Sequence, residues 1–210
     1  MRLSKTTVSV IVIILFHFVG LIGFMVPSFR PVFSKLVPFH LLLMLAVVLV
    51  NHYKADSRFW RFAWLVFVMG IVVEWIGVHK HWIFGDYDYG RTLGVKIFDI
   101  PLMIGINWFL LIYATGVLMQ RSRLKSAAAR VFLGAALLVL LDLLIEPIAI
   151  KFDYWSWAGG VPTLKNYIGW FFVSTAFLGL FEACKIKPQT IVAPILLLVE
   201  FVFFGLLQLA

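Results

Sequence analysis

The sequence predicts an all-α fold, a polytopic integral membrane bundle of about seven transmembrane helices that takes residues 1–210 as a single transmembrane domain. Three observations predict it. Of the 210 residues, 63% are hydrophobic and 13% charged, with a mean hydropathy of +1.02, too apolar for a water-soluble domain of this size. The apolar residues fall into seven runs, each at or near the roughly 20 residues that a helix needs to cross the hydrocarbon core. The connections are short, the longest about twenty residues, which leaves little chain for a separate soluble domain.

The runs lie near 7–26, 36–51, 59–79, 100–119, 128–147, 166–184 and 189–208. The first follows a basic start, MRLSKTTVSVIVIILFHFVG, that resembles a signal peptide. It lacks a small-x-small cleavage site and stays apolar to Val26, so an uncleaved first helix is expected. The third run holds Glu74. The fourth opens on Pro101, a residue suited to a first helical turn, where an N–H would lack a partner anyway. The fifth, LLVLLDLLIEPIA, holds Asp142 and Glu146 four residues apart, hence on one face. Pro147 disfavours helical geometry at Glu146, so this helix is expected to end or kink there. Cys184 is the only cysteine, which excludes an intrachain disulfide and a thiolate cluster; a buried apolar filler is expected.

The net charge of +8 is spread over short connections rather than one face, so no nucleic-acid partner is expected. Membrane topology accounts for it better. Eleven Lys and Arg residues fall on one side: Arg2, Lys5, Lys54, Arg58, Arg61, Arg121, Arg123, Lys125, Arg130, Lys185 and Lys187. Seven fall on the other: Arg30, Lys35, Lys80, Arg91, Lys96, Lys151 and Lys165. The positive-inside rule then predicts a multi-pass protein of the cell's inner (cytoplasmic) membrane, with a cytoplasmic N-terminus and an external C-terminus.

Two segments resemble each other. EWIGVHKHWIFGDYDYG links the third run to the fourth, and EPIAIKFDYWSW links the fifth to the sixth. Each has a carboxylate near the end of the incoming helix, Glu74 or Glu146, followed by a loop of aromatic and acidic residues. Each then has a proline, Pro101 or Pro162, and an aromatic pair about two turns on, Trp108–Phe109 or Trp170–Phe171. This predicts a possible internal repeat of helical hairpins, with both loops on one side of the membrane.

Ionisable groups at membrane depth usually face the bundle interior and are paired or functional. A carboxyl removed from water resists ionisation, so it can hold a proton near neutrality and deliver it as a general acid. Tyr87, Tyr89, Tyr154, Trp155 and Trp157 would surround a developing cation, each ring contributing roughly 0.5–2 kcal/mol. Acid plus aromatic lining suits protonation of a carbon–carbon double bond. The plainer alternatives are an interfacial belt for Trp82, Trp155 and Trp157 and structural polar contacts for Glu74, Asp142 and Glu146. Glu182 is expected to be a snorkelling or paired surface group near Lys185, and Glu200, deep in the last run, is unexplained and is assigned no catalytic role. His17, His40 and His52 are scattered and carry no signal. His79-Lys80-His81 has no third ligand at metal spacing, so no metal is expected. The chain has no Walker loop, GxGxxG, GxSxG or HExxH motif, which favours chemistry without a cofactor.

The run EWIGVHKHWIFGDYDYGRTLGVKIFDIPLMIGINW, then DLLIEPIAIKFDYWSW and NYIGWFFVS, resembles the carotenoid biosynthesis membrane protein family typified by CruF-type carotenoid hydratases. The resemblance covers about residues 70–175 through several ordered words. The family's recurring positions fall on Glu74, Gly77, Phe84, Gly85, Tyr87, Tyr89, Asp142, Glu146, Pro147, Trp155, Trp157, Asn166, Gly169 and Trp170. Lys80-His81, where the family often has Thr-Gly, and VPTLKNY, against a commoner P-L-x-N spacing, depart from it. Asp86 and Asp88 fall at variable positions and are expected to be solvated loop acids.

The resemblance implies addition of water across the terminal 1,2 double bond of an acyclic or monocyclic carotenoid of lycopene or γ-carotene type, giving a tertiary 1-hydroxyl. Partners would be that carotenoid, water and the lipid bilayer. Glu74, Asp142 and Glu146 are the expected acid and base groups. Tyr87, Tyr89, Trp108, Trp155, Trp157, Asn166 and Trp170 are the expected substrate-binding residues. A cyclase- or isomerase-like enzyme that begins with the same protonation remains open, as does a proton-coupled carrier or carotenoid-binding membrane subunit.

Overall fold

The computed structural model describes residues 3–187 and 189–210; Arg2, counted above among the cytoplasmic charges, lies outside the described residues. Seven helices run through the described residues: α1 (Lys5–Met25), α2 (Arg30–Asn51), α3 (Ser57–Lys80), α4 (Leu102–Arg121), α5 (Ala127–Lys151), α6 (Leu164–Ala183) and α7 (Val192–Leu207). The protein is a multi-pass, all-α membrane bundle. Helices α1 to α5 are long and apolar enough to cross a membrane, while α7 is apolar but shorter, at 16 residues. Four short strands lie in the connections: β1 (Tyr87–Tyr89), β2 (Lys96–Ile97), β3 (Ile100–Pro101) and β4 (Trp155–Trp157).

Side-chain caps mark three of the helix starts. Ser4 caps α1 by accepting from the N–H of Thr7, Asp56 caps α3 through the N–H groups of Arg58 and Phe59, and Ser126 caps α5 through Ala129. Two boundaries differ from the sequence expectation. Helix α2 starts at Arg30 rather than near 36, with a proline in its first turn and Pro38 carried inside. Helix α5 does not end at Pro147 but continues a further turn to Lys151. Proline removes one backbone donor, yet the turn beyond it still closes, with the N–H of Phe152 donating to Ile148 and that of Tyr154 to Ala149.

Helix α4 is the hub, packed against α2, α3, α5, α6 and α7. Its sequence is apolar all round and it is buried almost continuously from Ile104 to Val117, as an amphipathic helix could not be. Around it stand two antiparallel hairpins, α3–α4 and α5–α6, with α1, α2 and α7 grouped beside them. At one end of the α5–α6 pair, Arg130 makes a two-pronged ion pair with Glu182, Nε to Oε1 and Nη2 to Oε2, each at 2.7 Å. Glu182 is thus paired across the hairpin rather than with the neighbouring Lys185, since only the arginine fork can reach both carboxylate oxygens.

The two connections that resemble each other meet in space. Strands β1 and β4 pair antiparallel, with Tyr87 opposite Trp157, Asp88 opposite Ser156 and Tyr89 opposite Trp155. This register is symmetric about the Asp88–Ser156 pair, as a local two-fold axis relating the two hairpins requires. Strand alternation sends Asp88 and Ser156 outward and turns Tyr87, Tyr89 and Trp157 into the bundle. The other two strands form a tight hairpin, β2–β3, whose turn residues Phe98 and Asp99 have φ of 49° and 67°.

Candidate functional site

Glu74 lies near the end of α3 and is buried. Its carboxylate accepts three hydrogen bonds. Oε2 takes the hydroxyls of Tyr87 at 2.5 Å and Tyr89 at 2.7 Å, and Oε1 takes the indole N–H of Trp108 at 2.9 Å. One turn further along α3, Gly77 makes this possible. A β-carbon there would sit 2.5 Å from the Tyr87 hydroxyl and 2.9 Å from the Phe84 ring. Burial, and then the nearby charge of Glu74, push both phenols well above their usual pKa, so each hydroxyl keeps its proton.

Glu146, near the end of α5, is arranged in the same way with different donors. Its Oε2 accepts the indole N–H groups of Trp155 at 3.0 Å and Trp157 at 2.8 Å, and its Oε1 accepts from the Asn166 amide at 3.0 Å. Each glutamate therefore holds two aromatic donors from its own strand and one donor from the outgoing helix of its own hairpin. The same Asn166 nitrogen donates at 2.8 Å to Oδ2 of Asp142, whose buried Oδ1 has no partner among the described residues. Gly169, one turn along α6 from Asn166, lets the Ile83 carbonyl approach to where a β-carbon would be 2.5 Å away. Indole faces complete the lining. Trp108 stacks on Trp170 at 4.5 Å, and Tyr87 packs against Trp157 at 5.0 Å.

These groups enclose a cavity of about 30 Å³, room for a water molecule or two. Glu74 and Glu146 line it, as do all seven residues that the sequence singled out for substrate: Tyr87, Tyr89, Trp108, Trp155, Trp157, Asn166 and Trp170. Asp142 does not. It sits a helical turn deeper, behind Asn166, fully buried and away from the cavity. Ile104 and Asn107 of α4 join the lining, and the sequence reading passed them over; Asn107, a polar residue beside Trp108 in an apolar helix, was the available signal.

A second cavity of about 530 Å³ lies between α1, α2, α4 and α7, and shares Ile104, Asn107 and Trp155 with the first. Its wall is apolar except for Asn107, His17, His40, Glu200 and edges of aromatic residues. His17 and His40 are thus paired in space, ring nitrogens 3.4 Å apart, although they looked scattered in the sequence. His52 is half-buried against Phe59 and Tyr113, with Nδ1 2.7 Å from the Tyr113 hydroxyl, and desolvation lowers its pKa to about 4.

The remaining expectations sort by exposure. Asp86 and Asp88 are exposed, and Trp82, 71% exposed, fits an interfacial belt; Trp155 and Trp157 turn inward instead, because their N–H groups bond Glu146. His79 and His81 face separate loop acids, Asp99 at 3.3 Å and Asp86 at 3.5 Å, and among the described residues no group of three or more His, Cys, Asp or Glu could hold a metal.

Known proteins match parts of this sequence. A family model described as carotenoid biosynthesis protein matches residues 36–210, which include both hairpins and every lining residue of the small cavity. A bisanhydrobacterioruberin hydratase from Haloarcula japonica is 29% identical over 118 residues, covering 52% of this chain. The chain spans only 40% of the length of that relative. No solved structure matches.

Proposed function

The chain belongs to the carotenoid biosynthesis protein family, and from that premise we propose that it hydrates the terminal 1,2 double bond of an acyclic carotenoid end group to a tertiary 1-hydroxyl, as a CruF-type hydratase acting on a substrate of lycopene or γ-carotene type. One observation carries the reading. Two buried glutamates from equivalent hairpins face a water-sized cavity that adjoins a larger apolar one. The small cavity suits the water. The large one suits a polyene, within the roughly 300–1,000 Å³ usual for ligand pockets. Ile104, Asn107 and Trp155, at the boundary, would hold the end group against both.

The two glutamates differ in what their partners can do. The partners of Glu146 are all N–H groups, which donate and cannot accept in return, so the arrangement suits an ionised carboxylate. Two of the three partners of Glu74 are hydroxyls, which can reverse and accept. Glu74 is therefore the acid. A protonated Glu74 donates to a phenol oxygen while that phenol passes its own proton to C2, and the C1–C2 π pair forms the new C–H bond. The tertiary cation at C1 faces the rings of Tyr87, Trp157 and Trp108. A water molecule attacks C1 and loses a proton to Glu146, so that the sum is addition of one water; proton return from Glu146 to Glu74 through solvent resets the site. Asp142 acts by position, holding the Asn166 amide in place toward Glu146. Ring closure from the same cation would call for a dry pocket, and the polar lining favours water.

Expression of the chain in a lycopene-producing bacterium tests this. Pigment heavier by one water, identified by chromatography and mass, is expected; an isomer of unchanged mass would point to cyclisation, and unaltered substrate from a well-expressed protein would count against both.

A further inference from the structure

A water molecule that attacks a cation carries two hydrogens, and Glu146 takes only one of them. The second needs an acceptor of its own, or the water is free to turn its lone pair away from C1. Most polar groups of the small cavity are already committed. The two phenols and Trp108 donate to Glu74, the two strand indoles donate to Glu146, and the Asn166 amide nitrogen serves both Asp142 and Glu146. That bonding points the Asn166 nitrogen at the two carboxylates and so turns its oxygen away from them. Trp170 has only an N–H, which cannot accept.

Asn107 is the exception. Its amide makes no hydrogen bond among the described residues, although the side chain is partly buried and lines both cavities. Helix α4 is packed against five others, which leaves the cavities as the places this open amide can reach. An unpaired amide in an apolar helix is costly, and one is rarely kept unless water or a ligand meets it.

Depth agrees with this. Asn107 is five residues after the start of α4, Glu146 five before the end of α5 and Glu74 six before the end of α3. At 1.5 Å per residue all three lie roughly 8–9 Å from helix ends on the side of the β1–β4 pair. The cavity between them, about 30 Å³, holds a water or two. A water bonded to Glu146 therefore reaches Asn107 directly or through a single neighbour.

We propose that Asn107 is a further catalytic residue, the acceptor that holds the attacking water toward C1 and so decides between water addition and proton loss. The proposal rests on the hydration reading and deepens it by naming the group that selects the product. With one hydrogen of the water on Glu146 and the other on Asn107 Oδ1, an oxygen lone pair is left for C1. The C1–O bond forms, the proton on the Glu146 side passes to that carboxylate, and the hydrogen on Asn107 stays as that of the new hydroxyl. A neutral amide suits the place, because it accepts the hydrogen bond without taking the proton. Without it the cation instead gives a proton to Glu146. Loss from a methyl group on C1 yields an isomer of unchanged composition, and loss from C2 returns the substrate.

The experiment supplies an acyclic polyene to the full-length protein in membranes in deuterated water. Chromatography and mass then separate three products: the hydrate, the isomer, and recovered substrate carrying deuterium at C2. Wild type is expected to give mainly hydrate. Asn107→Leu, of similar volume, should lower the ratio of hydrate to the other two by about tenfold, the worth of one good hydrogen bond. The sum of the three, which counts protonations, should stay within about threefold of wild type. Asn107→Ser, which restores an acceptor and leaves room for a water, should keep most of the wild-type ratio. A ratio unaltered in Asn107→Leu, or loss of all three products from a well-folded variant, overturns the proposal; Asn107→Val gives the same reading if the leucine variant does not accumulate. If wild type forms no hydrate, the hydration reading fails on its own. A density map of the purified protein then judges the water site separately, and the lack of a water within hydrogen-bond distance of both Asn107 and Glu146 overturns it.

Discussion

At Glu74 and Glu146 the same carboxyl group meets two chemically different sets of donors, and single substitutions can read the difference. Glu146→Gln replaces an acceptor with an amide whose N–H₂ would confront the N–H groups of Trp155, Trp157 or Asn166. Turnover should fall by about 10²–10⁴-fold, the usual worth of a positioned acid or base. Glu74→Gln should lose as much. Tyr87→Phe with Tyr89→Phe leaves Glu74 in place but removes both reversible partners, so a loss comparable to that of Glu74→Gln is expected from the relay, against a small one if the phenols only fill space. Asp142→Asn should reduce kcat by about tenfold, a positioning effect smaller than the two glutamate losses, with KM held; a loss matching that of Glu146→Gln would restore Asp142 to the chemistry. The sequence made Glu74 and Glu146 legible because a charge inside an apolar run stands out. It could not show that Asp142, on the same helix face as Glu146, stops behind Asn166, because one turn of depth decides which carboxyl reaches the cavity. Nor could it pair His17 with His40, which belong to different helices and carry no shared periodicity.

At the scale of the elements, the hairpin repeat was readable from matched words, while the contact between the two copies was not. Three-residue strands such as YDY and WSW hold too little pattern to specify a partner, and pairing them needs the helices that bring the loops together. Pro147 shows the converse. Its local rule favours a helix end, but packing of Ile148 and Ala149 in the core carries α5 on for another turn. The close approach of the hairpins gives a stability prediction. Gly169→Ala would place a β-carbon 2.5 Å from the Ile83 carbonyl oxygen, a backbone atom that cannot swing away. A loss of about 1–3 kcal/mol is expected, seen as a lower unfolding midpoint in detergent. Gly159→Ala meets nothing within 4 Å and should be neutral within about 0.5 kcal/mol. Equal midpoints for the two variants would show that α6 has room to shift.

For the molecule as a whole, composition and run length gave the membrane class and the helix count, because in lipid every backbone polar group must be satisfied internally and a helix does so within one segment. Lateral arrangement left a weaker trace. That α4 is the hub follows from its lacking a polar face, but which helices surround it depends on packing between apolar surfaces of nearly uniform chemistry. Orientation in the bilayer rests on the charge asymmetry of the connections, and the structure makes it testable because Cys184 is the single cysteine. In a Cys184→Ala background, Val161→Cys, at an exposed position of the loop between β4 and α6, should react with a membrane-impermeant maleimide in intact spheroplasts. Arg123→Cys, exposed between α4 and α5, should react only after the membrane is opened. The reverse pattern would invert the bundle. The β1–β4 pair would then face the cytoplasm, which would supply the water while the inner leaflet supplied the substrate.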